Sequence, residues 1–220
     1  MRPPGSGPNA EAWRKLITYI TALDYSTRFQ FAHTGHELVM LLNAARRPEV
    51  AIKLSSDETS KFHYRMDVSH RLNQFLQGGV GLRNHIGKLL VMRETISTID
   101  EEVTKRLNRA RGQHVSSGPI ALVYALSNVF RHELVPGTIV LETHGTGPLA
   151  ETPIFEVRAL LGMGGLIGGE GWGKSAVKFA NANNPVDLLR LAETYRRDIR
   201  NLVGFVVNEV RGEAGRRYVS

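Results

Sequence analysis

From Phe62 onward, Met66, Ser69, Leu72, Phe75, Gly79, Leu82, Ile86 and Leu89 step along the chain by threes and fours. That spacing places them on one face of a single long helix, beginning at about Ser60. A helix of roughly 40 Å needs other helices along its length to cover such a face. The expected fold is therefore mainly α. Gly78, Gly79 and Gly81 interrupt the run. Each weakens a helix by about 1 kcal/mol relative to alanine. They are tolerable where another helix packs closely; otherwise the helix kinks or breaks there.

The flanking segments fit a bundle. Asn9 is a good N-cap for a first helix carrying Trp13, Leu16, Ile17, Ile20 and Leu23. That helix, or a second one after Gly35, continues through Leu38 to Leu42 and stops before Pro48. Residues 51–54 read as a short strand or connector. A charged helix is expected over 99–111. The next opens at Ser117-Gly118-Pro119 and buries Ile120, Val123, Tyr124 and Ser127. Residues 138–143 and 154–160 are β-rich and flank a turn-forming stretch, His144-Gly145-Thr146-Gly147-Pro148, which predicts a hairpin. A glycine-rich connector spans 162–173. Asn184 and Pro185 predict the N-cap and first turn of a last helix. Its seam is Leu188, Leu191, Tyr195, Ile199, Leu202, Val206 and Val210, with Arg190, Arg197 and Arg200 off it. The expected organisation is a disordered leader at 1–9, one helical domain at 10–212 and a frayed tail at 213–220.

Composition narrows the function classes. The chain has no cysteine. That excludes disulfides and thiolate metal sites and leans towards a reducing cytoplasm. No apolar run approaches the roughly 20 residues of a membrane span, and the first residues lack the apolar core of a signal peptide. The net charge of +7 makes an acidic polymer the obvious partner.

Three local patterns carry less than they first suggest. Residues 168–175 match the phosphate-binding pattern G-x-x-x-x-G-K-[ST], ending in Lys174 and Ser175. That motif needs a parallel sheet with further strands after it, and only 45 residues remain. The expected reading is a connector anchored by Trp172, with no nucleotide cofactor. His33 and His36 lie one turn apart beside Glu37, but no third ligand is evident and no metal is expected. Asp100-Glu101-Glu102 suits a helix start and needs no catalytic role.

One stretch points to chemistry. It runs Leu126-Ser127-Asn128-Val129-Phe130-Arg131-His132-Glu133-Leu134-Val135-Pro136. With Arg71-Leu72-Asn73-Gln74-Phe75-Leu76, Trp172-Gly173-Lys174 and the last helix, it resembles uncharacterised bacterial helical proteins of the HEPN class. The resemblance covers about two thirds of the chain. It implies a helical bundle, commonly a homodimer and in many members a metal-independent endoribonuclease. The class motif is Arg, a polar residue, about three variable residues, then His.

On this chain Asn128 takes the polar position and His132 the histidine, while Ser127 stands at the arginine. The resemblance implies that His132 moves the ribose 2′-hydroxyl proton and that a cation stabilises the phosphate. Arg131, one turn beyond Ser127, is the candidate for that catalytic and RNA-binding cation. Because serine supplies no guanidinium, the resemblance implies a catalytically degenerate module that binds RNA or a protein partner. An active ribonuclease using His132, Asn128 and Arg131, and a structural or regulatory helical protein, are the alternatives. Ser127→Arg would restore the class pattern unless Ser127 faces a packed interface. The same Arg-to-His spacing recurs at Arg28/His33, Arg65/His70 and Arg109/His114, and Arg83-Asn84 lacks its His. These are expected to be surface or inter-helix polar residues.

Overall fold

The computed structural model describes residues 8–96, 99–132, 139–145, 155–163, 167 and 172–218. It is mainly helical with a small three-stranded antiparallel sheet. The helices are α1 (Pro8–Tyr25), α2 (Ala32–Ala44), α3 (Pro48–Ser56), α4 (Glu58–Glu94), α5 (Glu101–Ser116), α6 (Gly118–His132), α7 (Lys174–Ala182) and α8 (Leu188–Tyr218). The strands are β1 (Ile139–Gly145), β2 (Phe155–Leu161) and β3 (Val186–Asp187), in the order β1-β2-β3.

Helix α1 already covers Asn9, which lies within it rather than capping it. It passes without a break into α2 through a π-helical turn at Ser26–Phe31. The buried positions Leu23, Thr27, Phe31 and Gly35 are spaced by fours, which drifts off an α-helical face. The wider π turn absorbs the extra residue and keeps the stripe inward. Residues 51–54 are helical, correcting the expected strand or connector: Pro48 opens α3, and Ala51 and Leu54 bury one face while Ile52 stays out.

Helix α4 is one uninterrupted helix of 37 residues, capped by Asp57. Ser69, Leu72, Phe75, Gly79, Leu82, Ile86 and Leu89 are buried as their spacing predicts. Phe62 is 57% exposed, however, and Tyr64 and Val68 take its place in the core. Gly79 is where another helix comes close: a Cβ there would stand 2.3 Å from the Tyr195 ring of α8. Tyr195 in turn meets Phe75 and Phe31 edge to face.

The end of the chain departs from expectation in three ways. Helix α7, beyond the glycine-rich connector, is additional. Asn184 and Pro185 do not open a helix. Their peptide bond is cis, Val186 and Asp187 pair with β2 as a third strand, and Asp187 caps α8 by accepting from the Arg190 N–H at 3.0 Å. Asn184 instead accepts the Met163 N–H at 3.1 Å. Finally, α8 continues through Tyr218 with Glu213 and Ala214 buried, where fraying was expected. The α8 seam from Leu188 to Val210 is buried throughout. Among the described residues no helix is long and apolar enough to cross a membrane.

Glu213 closes the bundle electrostatically. The Arg93 guanidinium donates to both its carboxylate oxygens, at 2.5 and 2.8 Å, to Thr104 Oγ1 at 2.8 Å and to the Asp100 carbonyl at 2.8 Å. Glu213 also accepts the Asp100 N–H at 2.6 Å. Both charged side chains are fully buried. One hydrogen-bonded cluster thus ties the end of α4, the start of α5 and the end of α8.

Candidate nucleic-acid interface

Helix α6 carries the resemblance motif and is buried around most of its circumference. Ile120, Leu122, Val123, Ala125 and Leu126 face the core. Ser127, at the arginine position, is fully buried. Its hydroxyl donates to the Tyr124 carbonyl one turn back at 2.8 Å, and its own carbonyl accepts from Gln77 Nε2 of α4 at 3.0 Å. Asn128 is half-buried on the outer strip of α6. Arg131 and His132 continue the helix, but their side chains lie outside the described residues, as does the Leu134–Pro136 stop. Tyr124, expected inside, is partly exposed and lies under the Arg83 guanidinium, 4.2 Å from the ring centre. Arg83, set aside on sequence grounds, is thus the described cation on this strip.

A second group of cations among the described residues lies along the outer face of α8. Arg190, Thr194, Arg197, Asn201 and Phe205 recur by fours and threes there, opposite the buried seam. Three depressions meet on this stripe. The first, between α8 and the α7–β3 corner, reaches Arg197. The second, against Val39 of α2, holds Arg196, Arg197, Arg200 and Asn201. The third, between α8 and α5, begins at Asn201 and ends at Phe205. Arg197 borders the first and second and Asn201 the second and third, so the arginine trough is a row of three neighbouring depressions over about 22 Å of α8, not one continuous groove.

Six arginines line the trough: Arg106, Arg109, Arg190, Arg196, Arg197 and Arg200. Only three carboxylates do: Asp187, Glu193 and Asp198. Arg106 is held by Glu209 at 2.8 Å and Arg197 by Asp198 at 3.2 Å. Arg109, Arg190, Arg196 and Arg200 make no ion pair among the described residues. Four unpaired guanidinium groups over such a length can neutralise successive phosphates.

His114 lies in the α5–α8 part of the trough. It is 8% exposed, and its Nε2 has no hydrogen-bond partner. Burial pushes its pKa down to about 4; the Asp198 carboxylate opposes the shift and Arg83 adds to it. The ring is therefore neutral near pH 7. The unfolded histidine, with an ordinary pKa near 6.5, binds a proton that the folded one refuses between about pH 6.5 and 4. Its contribution to stability is thus fully present above about pH 6.5 and is lost as pH falls towards 4, by at most about 3 kcal/mol. Urea midpoints at pH 7 and 5 should differ in the wild type and differ less in His114→Phe. An equal slope in both proteins would show that this histidine does not titrate as described.

The other sequence candidates resolve into structure. Glu37 pairs with Arg71 at 2.8 Å and with His33 at 3.5 Å. Among the described residues no group of three or more acidic or imidazole side chains could hold a metal. Arg28 pairs with Asp24, and His70 with Gln74. Lys174 is exposed at the start of α7, and residues 168–171 lie outside the described residues. The preceding strand, β2, is antiparallel to both its neighbours, which is not the parallel-sheet setting of a phosphate-binding loop. Asp100 caps α5 by accepting from the Glu102 and Val103 N–H groups.

Sequence reading missed the trough. The signal available was the second period along α8 and the place of His114 after Val103, Leu107 and Ala110 on the apolar side of α5. Compared with protein-family models, curated proteins and solved structures, the chain matches none of them.

Proposed function

We propose that the chain is an HEPN-like helical module, homodimeric as that class commonly is and catalytically degenerate, that binds RNA through the arginine trough on α8. The observation that carries this reading is the excess of guanidinium groups there, four of them without an acidic partner among the described residues. The degenerate character is supported by Ser127: at a buried, hydrogen-bonded position it neither supplies a cation nor leaves room for one. Asn128, Arg131 and His132 then remain as a vestige of the class motif rather than a working site.

Anisotropy of a labelled single-stranded RNA, titrated with protein at several salt concentrations, tests this. Each neutralised phosphate contributes about −0.7 to the slope of log K against log salt, so four unpaired arginines predict a slope near −3. In EDTA the RNA should stay intact on a denaturing gel. A flat salt response, or His132-dependent cleavage, would count against the proposal.

A further inference from the structure

We infer that the cleft between α5 and α8, at the end of the arginine trough, takes the base of a nucleotide whose phosphates lie on the α8 arginines. The inference rests on the RNA-binding reading above and adds to it a place where a base is held.

The cleft is about 490 Å³. Its walls differ from the rest of the trough. Ile120, Leu202 and Ala110 make it apolar, and Phe205, 37% exposed, lines it with them. Polyphosphate alone has no use for such walls; a flat heteroaromatic ring does, because every base has a π-face to stack. The polar groups are few and suit a base edge. Asp198 can accept only, with one oxygen already taking the Arg197 Nε–H at 3.2 Å, while the amides of Gln113 and Asn201 can donate and accept. His114 adds a neutral ring to the lining; its unpartnered Nε2 is buried behind that surface and forms no part of the contact to a base. Arg109 stands at the rim without an ion pair among the described residues, placed for the attached phosphate. A carboxylate at the base edge favours bases bearing an exocyclic amine, cytosine, adenine or guanine, over uracil.

The test uses the full chain and three labelled eight-mers of equal charge: oligo-C RNA, oligo-U RNA and an abasic oligomer. The oligo-C should bind at least about fivefold more tightly than the abasic chain, as one stacked base would give. Phe205→Ala, at a partly exposed site, should remove that difference without changing abasic binding. Asp198→Asn should narrow the ratio of oligo-C to oligo-U affinity. Equal affinity for oligo-C and abasic chains, with the salt slope kept, would overturn the base site and leave the trough standing. No salt-dependent binding of any of the three would overturn both. Circular dichroism of each variant separates lost binding from lost folding, and a misfolded Phe205→Ala is replaced by Phe205→Leu, which keeps bulk but not the ring.

Discussion

Glu213→Ala should lower the unfolding free energy by about 3–5 kcal/mol, the usual cost of stranding one partner of a buried ion pair. The substitution leaves the Arg93 guanidinium buried with two of its hydrogen bonds gone and removes the acceptor of the Asp100 N–H. Three helix ends lose their common tie at once. Glu209→Ala is the internal comparison. Its partner, Arg106, is half exposed, so that pair is screened by solvent and should cost less than about 1 kcal/mol. Urea denaturation of the two variants measures the contrast. A Glu213→Ala protein as stable as Glu209→Ala would mean that the Arg93–Glu213 pair is not buried in solution. Replacing both charges together, as Arg93→Met with Glu213→Leu, should recover much of the loss, because no charge is then stranded.

Ser127→Arg should destabilise by a similar amount, about 3–5 kcal/mol, rather than restore a nuclease. The site has no exposure, and its side chain and carbonyl are already satisfied by Tyr124 and Gln77. A guanidinium there is both oversized and an uncompensated buried charge. Ser127→Ala loses only a bond within its own helix and should stay within about 1 kcal/mol of wild type. The readouts are the urea midpoint and RNA integrity in EDTA. A Ser127→Arg protein of wild-type stability that cleaves RNA through His132 would reverse the reading of α6.

Long repeats were legible in the sequence and short ones were not. The α8 seam repeats over seven positions, and every one is buried. The α4 stripe holds from Ser69 to Leu89 but fails at Phe62, because the first turns of α4 pack against α3, whose four apolar-rich residues at 51–54 are too few to separate helix from strand. Asn184-Pro185 is a sound local start signal overridden by strand pairing: β3 holds the next two residues, Val186 and Asp187, extended, so Asp187 becomes the cap. Burial of Ser127 follows its spacing from Ile120 and Val123, but its consequence for an arginine there does not. The trough was less legible still. Its α8 arginines share a period with the seam, yet Arg106 and Arg109 join them only through α5–α8 packing. His114 sits on a helix so charged that its apolar side is easily overlooked.

If RNA is held by the α8 arginines and not cut by the α6 motif, removing charge from the trough and from elsewhere must act differently. The most direct measurement compares RNA affinity, in EDTA and low salt, for wild type, for Arg196→Gln/Arg200→Gln and for Lys53→Gln/Lys88→Gln. The last pair removes the same charge from α3 and α4, outside the trough. RNA should stay intact throughout, the lysine variant should keep wild-type affinity, and the arginine variant should bind more weakly with a salt slope shallower by about 1.4. Equal losses in the two variants would reduce the trough to general positive charge and contradict the account.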